Sequence, residues 1–331
     1  MKTLLKFTLC LCVCFSQAQS IERQVIGASG TTLTNGTVSL DFTVGELAVT
    51  TITNGTTTLS QGFHQPSVLL GIKINPIAFL QGALLDSPDN FMRDDLRTSL
   101  VPVTSPYADV LVCNSSVFTD GGTATTGLAQ DNVVDWVFVE LRDAVDNTSV
   151  IASQSALLQR DGDIVGVDGV SDLEFNIEAR NYYVVIKHRN HLGIMTANTI
   201  ALSSALVIVD FTVANNQITH GANAQTTFGV QSGAVAMWAG NVNGDDIVSY
   251  LGTAPDVPSI LAEVLNDPGN FLNFPTYSVN GYKTSDVNMD GNTQYTGTEP
   301  DTPFIFQNVV SHPGNFLNFS TYQIQEQLPE N

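Results

Sequence analysis

Oxygen-bearing side chains recur at alternate positions in the hexapeptide DVNMDG that begins at Asp286. Asp286, Asn288 and Asp290 occupy its first, third and fifth places, and Gly291 follows at the sixth. A glycine there permits a sharp turn, because a positive φ costs glycine little. The backbone carbonyl of Asn292 would supply one more oxygen. Calcium ions take six to eight oxygen ligands at about 2.3–2.6 Å, so this pattern predicts a Ca²⁺ loop.

The closing ligand of this loop is displaced. A loop of the EF-hand kind needs a bidentate carboxylate at its twelfth place, which here is Gly297. Asp301 stands four residues later, just before a predicted helix, and the intervening insertion could return its carboxylate to the cation. Asp301 could instead cap that helix, with Pro303 in the first turn. The two roles are compatible, because the last ligand of an EF-hand-type loop lies where a helix starts.

The C-terminal part of the chain is an internal duplication. Residues 241–279 align without a gap on residues 286–324, and 20 of the 39 positions are identical. Each copy contains an Asp/Asn-rich loop, a short predicted helix (258–266 and 303–311) and the heptapeptide PGNFLNF.

The first copy predicts a second, weaker Ca²⁺ site. Its candidate ligands, one of them a backbone carbonyl, are Asn241, Asn243, Asp245, Ile247 and Asp256. This set contains two carboxylates, whereas the second copy contains three. Asp246 stands where a glycine is preferred, at a cost of about 1 kcal/mol. We therefore expect tighter binding by the second loop.

The duplicated loop-helix unit is similar to a dockerin-type calcium repeat, although dockerin loops close within twelve residues and these carry four more. Other segments extend the comparison: the duplication ends in EQLPEN, and GELAVTTITNGTTTLSQGFHQP, MRDDLR, DWVFVELRDA, SALLQRDGDIV and YYVVIKHRNHLGIMT precede it. With these segments the wider chain resembles secreted surface proteins of gliding-type Gram-negative bacteria, labelled hemagglutinin-like or dockerin-containing. The resemblance implies export and surface attachment or matrix roles, without an assigned activity.

The remaining sequence predicts an exported, mainly β protein in several parts. Residues 1–18 combine two lysines, an apolar run and a small-residue site, which is typical of a secretory signal peptide. Residues 19–69 predict a small β module, because Asn-Gly pairs separate its Thr- and Val-rich runs. Residues 70–238 contain many short strands at intervals near ten residues, as in an Ig-like β-sandwich. The duplicated repeats, 239–331, complete the chain.

Charge and cysteine content limit the partners and the covalent stabilisation of the chain. The formal net charge is −20, which disfavours nucleic acid and anionic membranes and suits a divalent cation. Once the leader is removed only Cys113 remains, so no intramolecular disulfide can form. No later segment has the length and apolarity of a transmembrane span.

Other groupings favour simpler interpretations. His188 and His191 would lie on opposite faces of a continuing strand, and a solvent-facing strand end is the expected arrangement unless a turn intervenes. Asp161, Asp163 and Asp168 are typical of turns, with a second type of cation loop as the alternative. The aromatic rings of the two PGNFLNF segments either pack one repeat on the other, which we expect, or form a sugar-stacking surface.

The sequence therefore predicts a secreted, non-enzymatic adhesion or scaffold protein of the cell surface, stabilised by Ca²⁺, with a surface protein or polysaccharide as partner. Carbohydrate binding by the central sandwich is one alternative. A glycan hydrolase with carboxylates from distant strands, such as Glu140, Asp163 or Glu178, is another. The oligomeric state stays open.

Overall fold

The computed structural model describes residues 29–35, 38–44, 52–53, 58–59, 71–87, 89–119, 129–216 and 218–329. The chain divides into two compact units, Met1–Val68 and Leu69–Asn331. The leader predicted over residues 1–18 lies outside the described residues. None of the described helices has the length and apolarity that a bilayer crossing requires.

The described residues of the first unit form two β-hairpins. Strands β1 (Ser29–Asn35) and β2 (Val38–Val44) pair antiparallel, as do β3 (Ile52–Thr53) and β4 (Thr58–Leu59). The first Asn-Gly pair begins at Asn35, the last residue of β1, and the second, at positions 54–55, lies in the sequence between β3 and β4, so both hairpins occur where the Asn-Gly pairs predict them.

The second unit begins with β-strands and one short helix, so the chain is mainly β. Helix α1 spans Gln81–Leu84, and short 3₁₀ turns lie at Ser115–Phe118, Ala129–Asp131 and Ala214–Asn216. The strands are β5 (Ile72–Ile77), β6 (Val133–Asp143), β7 (Val150–Gln159), β8 (Ile164–Val165), β9 (Leu173–Phe175), β10 (Asn181–Lys187), β11 (Ile194–Met195), β12 (Ile200–Ala201), β13 (Val207–Asp210), β14 (Gln225–Thr226) and β15 (Ala236–Met237).

Two sheets share one hydrophobic core. The larger sheet has the order β11-β10-β6-β7-β8, with β12 also paired to β10. The smaller sheet has the order β13-β5-β9, in which β13 runs parallel to β5. Strand β6 is almost wholly buried, as its apolar centre predicts, and Trp136 has no exposed surface. Ile72 and Ile74 of the smaller sheet belong to the same core as Trp136 and Leu157 of the larger one.

The duplicated region forms two equivalent loop-helix units, and both predicted helices are confirmed within one residue. Its elements are β16 (Ile247–Ser249), α2 (Val257–Asn266), β17 (Ser278–Asn280), β18 (Asn292–Gln294), α3 (Thr302–Ser311) and β19 (Gln323–Gln325).

The two copies pair reciprocally. The strand that leaves the first loop, β16, pairs with β19 at the end of the second copy, and β18 pairs with β17 at the end of the first copy. Ile247 opposes Gln325 in one pair, and Asn292 opposes Asn280 in the other. These registers are equivalent under the repeat shift, so each copy completes the other's strand pair.

The repeats and the sheets share buried contacts. Leu192 and Trp238 lie in one hydrophobic core with Val248 of the first copy and Ile305 of the second. The buried side chains of Gln81 in α1 and Asn308 in α3 exchange hydrogen bonds of 2.7 and 3.0 Å. The sequence boundary at 238–239 therefore runs through a single compact unit.

Candidate metal centre

The second loop is closed by its own first side chain. The carboxylate of Asp286 is fully buried, and its two oxygens accept hydrogen bonds from the backbone N–H groups of Asp290 at 3.1 Å and Gly291 at 3.0 Å. Asn288 Oδ1 also accepts from the Asp290 N–H, and Asp290 Oδ1 accepts from the Asn292 N–H at 2.8 Å. The alternate side chains thus turn into the loop, as their spacing predicts.

Asp301 returns to this loop. Its Oδ1 accepts from the backbone N–H groups of Val287 at 2.6 Å and Asn288 at 3.2 Å, and its Oδ2 accepts from that of Gln294 at 2.8 Å. The backbone N–H of Asp301 donates to the Gln294 carbonyl at 3.0 Å, which completes a cyclic pair of hydrogen bonds. The carboxylate is fully buried and joins both ends of the loop.

Neither Asp301 nor Asp256 uses its side chain to cap the helix that follows it, which was the alternative role suggested by the sequence. Asp301 directly precedes α3 and has helical backbone angles, but its side chain makes no capping hydrogen bond to the helix. Asp256 has the same position and the same lack of a side-chain cap at α2. Both carboxylates instead satisfy amides of the preceding loop, and the prolines that follow them reduce the number of helix amides that need a partner.

The first loop has the same closure. Asp256 Oδ1 accepts from the backbone of Val242 at 2.7 Å and Asn243 at 3.3 Å, and its Oδ2 accepts from Ser249 at 2.8 Å. The side chains of Asn241, Asn243 and Asp245 turn inward as in the second loop, and Ile247 N–H donates to Asp245 Oδ1 at 3.1 Å.

Left-handed backbone occurs at two places in the hexapeptide that opens each loop. The sixth places, Asp246 with φ 63° and Gly291 with φ 88°, confirm the predicted turn. The fourth places, Gly244 and Met289, also have positive φ values of 72° and 59°. At these two places each copy has one glycine and one strained larger residue, so they do not distinguish the two sites, but the insertion of the first loop adds a second strained residue, Ala254 with φ 50°.

Burial does distinguish the two loops. Asn243 and Asp245 are exposed, whereas Asn288 is buried and Asp290 is half-buried. The backbone of the second loop approaches Gly82 so closely that a Cβ atom at residue 82 would lie 2.3 Å from the Val287 carbonyl oxygen. Low dielectric strengthens the interaction of carboxylates with a cation, which favours the second site.

Three buried carboxylates of the two loops resist ionisation. Burial raises the pKa of Asp256 to about 7 and that of Asp286 to about 7, although Arg189 opposes the shift at Asp286. Burial, followed by the negative charge of Asp286, raises the pKa of Asp301 well above its usual value. None of the three lies within 4 Å of a Lys or Arg nitrogen of the described residues. A cation bound beside these carboxyl groups would therefore favour their ionised form, which burial alone disfavours.

The oxygens present fit a Ca²⁺ ion only as a mixed set. Each oxygen of Asp286 accepts one hydrogen bond and keeps a second lone pair, as does Asp301 Oδ2, whereas Asp301 Oδ1 already accepts two. Among the described residues, no three His, Cys, Asp or Glu side chains are grouped so as to hold a metal ion. The Asn288 side chain and the Asn292 carbonyl would have to contribute as well.

The larger sheet supports the second loop through buried and partly buried polar contacts. The side-chain amide of Asn190 donates to the backbone oxygens of Asp286 at 2.7 Å and Thr284 at 3.1 Å, and Arg189 donates to that of Lys283. The Arg93 guanidinium donates to the backbone oxygen of Asn288 at 2.5 Å. Sequence alone does not reveal these partners, because they lie about a hundred or more positions away.

His188 and His191 are brought together, which corrects the expectation of a solvent-facing strand end. A turn at Asn190 places their Nδ1 atoms 2.9 Å apart, and both rings are buried. His188 also contacts Asp135, which accepts from Arg189 at 3.0 Å and from the Tyr282 hydroxyl at 2.5 Å. Burial lowers the pKa of each histidine. Burial opposes ionisation of Asp135, but Arg189 and His188 lower its pKa to about 2.

Of the carboxylates considered for hydrolysis, Glu140 is paired with cations, Asp163 is half-buried and Glu178 is exposed. Glu140 is buried and pairs with Arg142 at 2.8 Å and Lys187 at 3.0 Å. Asp168 closes a turn by accepting from the Val170 and Ser171 amides, as the turn interpretation predicts.

The aromatic segments are exposed, against our expectation that they pack one repeat on the other. Phe271 and Phe316, the first aromatic residues of the two PGNFLNF segments, are 81% and 83% exposed.

Comparison of the chain with protein-family models, curated proteins and solved structures finds no match.

Proposed function

We propose that this chain is an exported cell-surface protein for adhesion or scaffolding, whose duplicated dockerin-like loops bind Ca²⁺. The observation that best supports Ca²⁺ binding is that a buried aspartate, Asp256 or Asp301, closes each loop. Neither has a cationic side-chain partner among the described residues. A bound Ca²⁺ would supply the missing positive charge. The two sheets with their common core support an Ig-like sandwich as the rigid body that carries the repeats.

The proposed ligand set of the second loop consists of the Asp286, Asn288 and Asp290 side chains, the Asn292 carbonyl and Asp301 Oδ2. Water would complete the coordination, as it does in other Ca²⁺ loops. The first loop would use the corresponding atoms of Asn241, Asn243, Asp245, Ile247 and Asp256.

Calorimetric titration of the purified chain with CaCl₂, after removal of metal with EDTA, tests the Ca²⁺ part. We expect two sites, the second loop being the tighter, and a higher melting temperature in Ca²⁺ than in EDTA. MgCl₂ is the control, because its demand for octahedral geometry at about 2.1 Å does not suit a flexible loop. Absence of both heat and thermal stabilisation would refute Ca²⁺ binding.

The adhesion part needs a separate test. Fluorescently labelled chain is added to intact cells of the parent organism in Ca²⁺ or in EDTA. Surface labelling that EDTA releases supports a Ca²⁺-dependent surface protein. Equal, negligible labelling under both conditions contradicts the adhesion role even if calorimetry detects Ca²⁺.

A further inference from the structure

The two PGNFLNF segments expose a duplicated group of large apolar side chains, which we name the FLNF tags (Phe271–Phe274 and Phe316–Phe319). Corresponding positions are exposed to nearly the same extent in both copies. The exposed fractions are Phe271 81%, Phe316 83%, Leu272 58%, Leu317 58%, Phe274 54% and Phe319 56%. Apolar side chains grouped at this exposure are typical of binding surfaces.

Each tag is held in a defined conformation by a buried asparagine. The side-chain amide of Asn270 donates to the Val264 oxygen at 2.8 Å and to the Phe274 oxygen at 2.9 Å, and its oxygen accepts from the Phe274 N–H at 2.8 Å. Asn315 makes the three equivalent bonds at 2.8, 2.9 and 2.9 Å. The rings are therefore presented by an ordered loop, which reduces the entropy lost on binding.

The third residue of each tag adds a free polar group. Asn273 and Asn318 have left-handed backbone, with φ values of 54° and 53°, and both are exposed. Within the described part of the chain their side-chain amides have no hydrogen-bond partner. Each tag thus places an available donor and acceptor between two exposed rings.

Packing inside the chain does not explain why the tags are the same. At exposed positions of the helices the copies differ, as in Ala262 against Gln307 and Asn266 against Ser311. The tags keep all four residues although most of their apolar surface faces solvent. Contact with something outside the chain accounts for both the exposure and the identity.

The charge around the tags indicates the chemistry of that partner. Residues 268–282 and 313–325 contain no Asp, Glu, Lys, Arg or His, in a chain with a formal net charge of −20. Nucleic acid and anionic lipid require basic residues, which these segments lack. An uncharged partner with apolar faces and many hydroxyl groups suits exposed rings flanked by free amides.

We propose that the FLNF tags bind a neutral polysaccharide. The C–H faces of its sugars stack on the phenylalanine rings, and its hydroxyl groups hydrogen-bond to the Asn273 and Asn318 amides. The chain carries two tags, so a polymer with repeated epitopes that spans both would gain apparent affinity on the order of a hundredfold. This site lies outside the Ca²⁺ loops and goes beyond the proposed role of those loops.

Native affinity electrophoresis tests the proposal with the full chain. The gels contain dextran, laminarin, mannan or arabinoxylan as neutral probes, and alginate as an anionic comparison, all in Ca²⁺. We expect retarded migration in at least one neutral gel. The double variant F271A/F316A should lose at least about tenfold in affinity, because it removes stacking from both tags and with it the bivalent gain. Either single variant should lie between the double variant and the native chain.

A matched control removes an exposed apolar side chain elsewhere. Val145 is 96% exposed and lies outside the tags, so V145A should migrate like the native chain in every gel. Melting temperatures of all variants should agree within about 1 °C, since exposed side chains contribute little to stability. This agreement separates loss of binding from loss of fold.

Four results would overturn the proposal. One is normal migration in all neutral gels, and another is retardation that F271A/F316A does not change. The third is sedimentation that shows a dimer of the native chain which the double variant abolishes, since the tags would then bind a second copy. The fourth is co-sedimentation with phosphatidylcholine vesicles that depends on the tags, which would identify a lipid surface.

Discussion

The side-chain amide of Asn190 donates a buried hydrogen bond of 2.7 Å to the backbone oxygen of Asp286, the first residue of the second loop. The same amide also donates to the Thr284 oxygen at 3.1 Å. One residue between two strands of the larger sheet thus fixes the entry to the loop. The repeat does not carry its loop alone, since part of the loop backbone is satisfied by the sheet.

Replacement of Asn190 by alanine should destabilise the chain by about 2 kcal/mol, because the buried bond to the Asp286 carbonyl and the partly buried bond to the Thr284 carbonyl are lost. Urea denaturation followed by tryptophan fluorescence measures the change, as Trp136 and Trp238 are both buried. N198A is the matched control, since Asn198 is exposed and near in sequence. Equal midpoints for the two variants would contradict the role assigned to Asn190.

Local pattern was enough to predict much of the fold. Asn-Gly pairs predicted the hairpins, the apolar run around Trp136 predicted the buried strand, and the duplication predicted both helices. These features depend on residues that are near in sequence or repeat at a fixed distance. The short strand β5 was not predicted, because its pairing with β9 and β13 depends on residues far along the chain.

The candidate site was predictable in its residues but not in its bonding. The spacing of Asp286, Asn288 and Asp290 indicated an inward-facing loop, and the repeat pointed to Asp301. That Asp301 binds loop amides rather than helix amides depends on a conformation of the insertion that spacing does not specify. The exposure of the aromatic segments was missed for a related reason, because buried and exposed aromatic residues have the same sequence pattern.

Alanine at Gly291 should be more costly than alanine at Gly244. Both glycines have positive φ, so each substitution strains the backbone by about 1 kcal/mol. A Cβ at residue 291 would also lie 2.8 Å from Leu100 Cδ1, whereas one at residue 244 would meet nothing within 4 Å. We expect losses of about 2 kcal/mol for G291A, because the Leu100 side chain must also shift, and about 1 kcal/mol for G244A in urea denaturation. A larger loss for G244A would mean that the second loop does not pack on Leu100.

Asp161 should make stability fall between about pH 4 and pH 6. Burial, followed by the charge of Asp163, raises its folded-state pKa to about 6, while the unfolded value is about 3.9. In that interval the folded chain holds a proton that the unfolded chain has lost, so each rise in pH favours unfolding. Above pH 6 both states are ionised and the penalty is constant.

D161N removes this penalty while Oδ1 can still accept from the Asp163 N–H, a bond of 3.2 Å. At pH 7 it should be more stable than the native chain by about 1 kcal/mol, a value reduced for partial solvent screening, and at pH 4 the two should agree. Urea midpoints at both pH values measure this. E178Q removes an exposed carboxylate and should show no such difference. Equal gains for D161N at pH 4 and pH 7 would exclude titration of Asp161 as the cause.

Asp301 should determine Ca²⁺ binding by the second loop. D301N replaces one carboxylate oxygen by an NH₂ group and removes the negative charge. Because both oxygens of Asp301 accept from loop N–H groups, at least one of these N–H groups would then face another donor.

The quantity to compare between D301N and the native chain is the stability gained on going from EDTA to Ca²⁺, since the substitution also weakens the metal-free fold. We expect D301N to lose the increment of the second loop, about 1 kcal/mol at 1 mM Ca²⁺, and the calorimetric stoichiometry to fall from two to one. E299Q removes an exposed carboxylate of the same insertion and should keep both sites. D256N should remove the weaker site instead, because Asp256 closes the first loop with the same three amide contacts. Two sites of unchanged affinity in D301N would contradict metal binding by Asp301 and would leave it only its hydrogen bonds to the loop amides.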